Sequence, residues 1–403
     1  MVRRLPSRAR PALAAFALLL LLAGAFGAGV WVDQTFPESI PVLGSSQMHG
    51  RGGATEQQAL RVIRAHYWNA NVDGGKLDEG GVRGMVQSLG DPYSQYLTRD
   101  QYQREKAAYQ GRHSGMIGVF VSFAGQRPVI SGVLPGSPAQ KAGLQAGDVI
   151  LTVNGADTTG LTPERVSALI AGSQGSLVDL DVQRGAETFT RQVQKATFTS
   201  PTVQSTRMPG DVLYLRVYQF GDDTQRQFDQ QLKAGLPARG VVLDLRGNGG
   251  GLVEAATAMV SRFVTSGEVF TTRGRNGESR TNVEGDHPAA RVPLAVLVNG
   301  STASAAEIVS GSLQAHHRAK LIGTKTYGKG SVQVDYPLSD GSDLHLTVQH
   351  WYLPDGRSID GRGLQPDVHT DLAQLQDMYD VASPQRGYGA DTQLNRALSL
   401  LSG

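Results

Sequence analysis

Leu297-Val298-Asn299-Gly300-Ser301-Thr302-Ala303-Ser304-Ala305-Ala306-Glu307 passes from the end of an apolar run, through small turn-forming residues, into a helix-forming stretch. An apolar run closed by turn residues reads as a buried strand, and the residues that follow read as a helix beginning at Ser304. The same order surrounds it. Strands are expected at Val212–Val217, Gly240–Leu245, Pro293–Val298 and Lys320–Ile322. Helices are expected near 222–233, 251–264 and 304–317, followed by strands near 331–336 and 343–352. Alternating strand and helix predicts an α/β core, a sheet with helices packed on it, over residues 197–370.

Upstream, residues 112–196 carry short alternating runs such as Val119-Phe120-Val121 and Leu177-Val178-Asp179-Leu180, with helical patterns only near 137–142 and 162–171. That is a small β-rich module. Residues 54–111 read as helical, with a turn at Gly90-Asp91-Pro92, and residues 371–403 as a C-terminal helical segment. Pro11 to Val32 is uncharged and follows Arg3, Arg4, Arg8 and Arg10 directly, so residues 1–32 read as a signal anchor or a signal peptide that exports the rest. We read residues 11–32 as a membrane anchor and residues 33–53 as a linker. The fold class is therefore multidomain α/β and β: an N-terminal membrane segment, a helical region, a β-rich module and an α/β core.

Composition narrows the chemistry. The 403 residues carry a net charge of +2, but the four N-terminal arginines exceed that excess, and no basic cluster follows. Nucleic-acid binding has no support. The absence of cysteine removes disulfides, thiolate metal sites and a cysteine nucleophile. Fifty glycines imply many tight turns or backbone-lined sites.

Ser304 would sit at a helix N-terminus, beside unpaired N–H groups that can hold an oxyanion. The bland alternative is an N-cap serine, with Glu307 completing a capping box. A nucleophile needs a base, and His316 and His317 lie about 18 Å along the same helix at its 1.5 Å rise. In Tyr327-Gly-Lys-Gly-Ser-Val-Gln333, an extended chain puts Lys329, Ser331, Gln333 and Asp335 on one face. Lys329 can be a base only when desolvation keeps it neutral, with Gln333 orienting the amine; otherwise it is a solvated loop lysine. Asp244-Leu-Arg-Gly-Asn-Gly-Gly-Gly251 lacks the third glycine of a dinucleotide fingerprint. It offers a second oxyanion wall or simply a tight turn. Gly323 to Lys329 has phosphate-loop spacing, but Gly330 stands where a magnesium-binding hydroxyl is required. No cluster of His, Asp and Glu has metal-ligand spacing, so neither metal nor cofactor is expected. Gly115-Met116-Ile117-Gly118-Val119 is a glycine loop entering a strand, suited either to a peptide carboxylate or to a plain turn.

Gly132 through Gly155 resembles a PDZ domain. Together with Asp244–Gly251, Ser301-Thr-Ala-Ser-Ala-Ala-Glu307, Tyr327–Gln333 and Tyr352-Leu-Pro-Asp-Gly-Arg-Ser-Ile359 through Gly363-Leu-Gln-Pro-Asp367, it makes the chain similar to bacterial carboxyl-terminal processing peptidases over residues 55–400. The resemblance implies a serine endopeptidase with a Ser-Lys dyad: Ser304 as nucleophile, Lys329 as general base and Gln333 orienting the lysine. It implies an oxyanion hole from the backbone of Ala305 with Gly249 or Gly250. It also implies a PDZ domain at 112–196 that binds substrate C-termini through Gly115, Met116, Ile117, Gly118 and Val119 and helps switch the core on. Partners are then proteins or peptides with accessible C-termini, and the location is exported or periplasmic. A homo-oligomer and an activating partner protein stay open. The chain departs from the family where Gly249 replaces a frequent proline, Ala306 a frequent second serine, and the Gly115–Gly118 loop is one residue longer. The alternative is a catalytically silent membrane-anchored PDZ adaptor.

Overall fold

Strands Val212–Val217, Gly240–Asp244, Leu294–Val298 and Lys320–Gly323 lie parallel and in that order, with Val203–Met208 antiparallel at one edge and Val368–His369 at the other. Both faces are covered, which is why the central strands Gly240–Asp244 and Leu294–Val298 are largely apolar rather than alternating. Leu213, Leu215, Val241, Leu243, Val296 and Val298 point to one face, against helices Thr224–Gly235, Val253–Ser261 and Ala305–Ala315. Val212, Tyr214, Val242, Ala295 and Leu297 point to the other, against helix Thr392–Ser402 through Leu394 and Ala397. This computed structural model describes residues 52–402 except 70, 125, 162, 383, 385 and 386. The expected membrane segment at 11–32 lies outside the described residues, among which no helix is long and apolar enough to cross a membrane.

A second sheet stands beside the core. Its hairpin Ser331–Pro337 and Asp343–Tyr352 is extended by Glu268–Gly274, Gly277–Asn282 and the short strand Gln95–Leu97. The last strand breaks the helical reading of residues 54–111. Instead of one helical region there are helices Gly52–His66, Gly74–Gln87 and Arg99–Tyr109, with Gln95–Leu97 before the third. The cause is tertiary: Gln95, Tyr96 and Leu97 pair with His345, Leu344 and Asp343, and Tyr96 and Leu97 are buried. The described residues fall into two separate units, divided between Leu77 and Asp78.

Residues 119–194 form the β-rich module. Strands Val119–Ala124, Arg127–Val133, Val149–Val153, Leu177–Arg184 and Glu187–Gln194 make one sheet around Ile130, Ile150, Val178 and Leu180. Helices Pro138–Lys141 and Pro163–Ile170 complete it, close to the expected positions.

Candidate active site

Ser304 stands at the N-cap of helix Ala305–Ala315 with φ 54° and ψ −122°. A serine rarely holds positive φ, and such strain is kept where surrounding contacts enforce it. Here the contacts are visible. The Ser304 N–H donates to Glu307 Oε2 at 3.0 Å, and the Glu307 N–H donates to the Ser304 carbonyl at 2.7 Å. The serine hydroxyl makes no capping bond. It faces a cavity of about 150 Å³ whose lining includes Tyr109, Gly249, Ser304, Lys329, Gln333 and His345.

Glu307 does more than cap. Its wholly buried carboxylate accepts four hydrogen bonds: from Ser304 N–H, from Lys329 N–H at 2.9 Å, from Gly328 N–H at 2.8 Å and from Thr326 Oγ1 at 2.5 Å. One carboxylate thus ties the start of the helix to the loop carrying Lys329. Burial pushes its pKa up and the four donors oppose that shift. Its partners lie 19 to 22 residues away, so spacing along the sequence suggested only the local cap.

Burial lowers the Lys329 pKa, while Glu105 and Asp91 work against the shift. Its ammonium position lies 5.1 Å from the centre of the Tyr93 ring. Lys329, Ser331 and Gln333 do share a face on the cavity, and the Gln333 amide donates to Ser331 Oγ at 2.8 Å and Thr347 Oγ1 at 3.0 Å. No hydrogen bond joins Gln333 to Lys329, or Lys329 to Ser304, among the described residues. Unliganded catalytic groups commonly stand apart and close on substrate.

The glycine turn 247–251 abuts Ser304. A Cβ on Gly250 would lie 2.7 Å from Ser304 Cβ and 3.0 Å from Ala305 N, and φ is +102°. Gly250 N–H donates to Asn248 Oδ1 at 2.8 Å, whereas the N–H groups of Gly249 and Gly251, both of which line the cavity, have no acceptor among the described residues. Ala305 N–H, the first of its helix, is likewise without one. The turn is braced from behind. Arg246, wholly buried, reaches Asp244, Asp391 and Gln393, and Asp244 also takes Arg216 at 2.6 Å and Tyr214 at 2.6 Å. Although burial opposes it, Arg216 and Arg246 hold the Asp244 carboxyl well below the usual range.

His316 and His317 take no part: His316 Nε2 contacts the Glu268 carbonyl at 2.7 Å. The sequence placed no histidine near the serine, and there the structure differs. Strand pairing folds His345 back opposite Asp335, with Nδ1 2.6 Å from Asp335 Oδ1, and brings its ring to the cavity wall.

In the β-rich module, a second cavity of about 70 Å³ lies between the Met116–Val119 loop with its following strand and helix Pro163–Ile170. Gly118 has φ +84°, and a Cβ there would sit 2.4 Å from Ser137 Cβ. The Ile117 side chain is buried in the module's core, so this residue offers its backbone to the groove and not its side chain.

Residues 211–370 match the model of peptidase family S41, residues 129–184 that of a PDZ domain, and residues 44–101 that of the activating protease CtpB N-terminal domain. A probable CtpA-like serine protease of Staphylococcus haemolyticus (strain JCSC1435) is 32% identical over 374 residues, covering 90% of this chain and 73% of that one. The carboxy-terminal processing protease CtpA of Bacillus subtilis (strain 168) is 32% identical over 345 residues, covering 82% and 73%. Among solved structures, the photosystem II D1 C-terminal processing protease superposes with a TM-score of 0.60 at 30% identity, covering 83% of this chain and 92% of that one.

Proposed function

Because the chain belongs to peptidase family S41 and is a serine-type, C-terminal processing protease, we propose that it is an exported, membrane-anchored endopeptidase that cuts proteins near tails held by its PDZ domain, using Ser304 and Lys329. The observation that carries this reading is the shared cavity: a serine whose hydroxyl is released from capping faces a lysine whose charged form burial disfavours.

Neutral Lys329 takes the Ser304 proton as Oγ adds to the scissile carbonyl carbon. The oxyanion is held by the N–H groups of Ala305 and Gly249, donors fixed before substrate arrives. The lysine ammonium then gives its proton to the departing amine as the C–N bond breaks, leaving an ester on Ser304. Water, losing a proton to Lys329, adds to the ester, and Ser304 Oγ leaves and regains that proton. Gln333, held by Ser331 and Thr347 in the unliganded site, would turn to orient the Lys329 amine when substrate binds.

Two further observations support tail recognition coupled to the core. The Met116–Val119 groove has the shape for an added peptide strand. Ser131, on the module's strand, lies so close to the glycine turn that a Cβ on Gly247 would meet its carbonyl at 2.7 Å. The module that would hold the tail therefore packs against the glycine turn, although the groove itself is formed by other residues. Export and anchoring rest on the uncharged stretch behind the four arginines.

The Asp335–His345 pair favours a second reading, with His345 as the base for Ser304. One experiment separates them. A tail-bearing peptide is incubated with wild type, Ser304→Ala, Lys329→Ala, Lys329→Arg and His345→Gln, and the products are read by mass spectrometry. The Ser-Lys reading expects the serine and both lysine variants to be inactive and His345→Gln to keep turnover. An active Lys329→Ala beside an inactive His345→Gln transfers the role of base to the histidine.

A further inference from the structure

Just beyond the catalytic residues, the hairpin places three potential ligands together. Asp335 and His345 are direct cross-strand partners, and Asp343, two residues before His345, projects from the same face. One ligand atom from each of Asp335, Asp343 and His345 lies within 4.8 Å of the others. Sequence spacing concealed the cluster because the hairpin turn separates Asp335 from its partners.

The decisive member is Asp343. Its side chain is wholly buried, yet neither carboxylate oxygen accepts a hydrogen bond. Buried carboxylates are ordinarily paired, hydrogen-bonded or bound to a cation. The groups facing this end of the hairpin from helix Arg99–Tyr109 do not supply a full counter-charge. Glu105 adds a third carboxylate, which interacts electrostatically with both Asp335 and His345. Lys106 acts on Asp343, but its ammonium is stationed 5.2 Å from the centre of the Tyr102 ring.

We propose that Asp335, Asp343 and His345 form a binding site for one divalent transition-metal ion of the Zn²⁺ class. Ions of this class accept carboxylate oxygens beside an imidazole nitrogen, whereas Mg²⁺ and Ca²⁺ favour oxygen alone, so His345 is the ligand that selects the class. Zn²⁺ takes its ligands at about 2.0–2.2 Å, so small side-chain rotations are enough to close the three atoms on one ion. The ion would clamp the turn end of the hairpin formed by strands Ser331–Pro337 and Asp343–Tyr352. Two pairs further along the hairpin, Gln333 lies opposite Thr347, so the clamp stiffens the wall that carries Gln333 and His345. The site is thus structural and regulatory; an ion on His345 takes the ring lone pair that a histidine base would need, so the site accords with Lys329 as the base, on which reading it rests.

The test uses the full chain, stripped with a chelator and titrated with Zn²⁺ in a calorimeter, with Tm measured in parallel and no substrate present. Wild type is expected to bind one Zn²⁺ per chain and gain several degrees of Tm, with Mg²⁺ giving neither effect. Asp343→Asn and His345→Gln are each expected to weaken binding at least tenfold. His345→Gln decides the matter alone if the buried Asp343→Asn fails to fold. Absence of binding in wild type overturns the site, as does equally tight binding in the variants, which would assign the ion to other histidines.

Discussion

Replacing Glu307 with alanine removes the one carboxylate that reaches both the Ser304 and the Lys329 backbone. Four donors lose their acceptor: three backbone N–H groups and the Thr326 hydroxyl. At about 1 kcal/mol for each buried donor left unsatisfied, the low end of the usual range, the loss is about 4 kcal/mol. The variant no longer desolvates a charge, which offsets part of this, so a net destabilisation of about 3 kcal/mol is expected. Glutamine is gentler. If its carbonyl oxygen replaces Oε2, the bonds to Ser304 and Lys329 survive and only the Gly328 N–H meets another donor, a cost of about 1–3 kcal/mol. Catalysis should part company with stability. Loss of the Ser304 tether lets the nucleophile drift, and displacements of about 1 Å cost about 100-fold in rate. Urea unfolding and peptide cleavage on the same preparations decide it. Glu307→Ala should lose about 100-fold in kcat with little change in KM, while Glu307→Gln keeps most of its kcat. Glu307→Ala with wild-type kcat would refute the idea that this carboxylate positions the reacting groups.

Lys329→Met should lower turnover by about 10²–10⁴-fold, the usual worth of a general base, and yet raise Tm. Burial depresses the lysine pKa in the folded chain, so the destabilisation is complete where the amine is charged in both states and disappears above its unfolded pKa. The Tm gap between variant and wild type should therefore narrow as pH rises, and a gap independent of pH would contradict the desolvation argument. For the same reason wild-type activity should rise with pH from the acid side as Lys329 loses its proton, measured as kcat/KM against pH. Amidating the C-terminus of a substrate peptide removes the carboxylate offered to the Gly115–Gly118 loop, and its affinity for the full chain should fall at least several-fold by fluorescence polarisation. Equal binding of acid and amide would show that tails are not held by their carboxylate.

The parallel strands of the core were legible because they are largely buried on both faces and appear as apolar runs, such as Gly240–Asp244 and Leu294–Val298, whereas the edge strands Val203–Met208 and Val368–His369 are polar or short and were not. Hairpin Glu268–Asn282 escaped notice because Gly277–Asn282 is largely exposed and carries Glu278, Ser279, Arg280 and Thr281 in place of apolar residues. Gln95–Leu97 is only three residues long and owes its form to its partner strand. At the site, Ser304, Lys329 and Gln333 were readable from local pattern and family resemblance, since each stands in a short motif. Glu307 as a four-way acceptor was not, nor were Asp335, Asp343 and His345 as neighbours, because those meetings are made by long-range folding.

Asp391 and Gln393 reach across 145 and 147 residues to Arg246, one position before the turn that faces Ser304. A segment some way further along the chain therefore completes the support of this turn. A nascent chain that has not yet delivered residues 391–393 leaves a wholly buried guanidinium short of one of its two carboxylates. The turn beside Ser304 is therefore fully braced only after that distant segment has docked behind it.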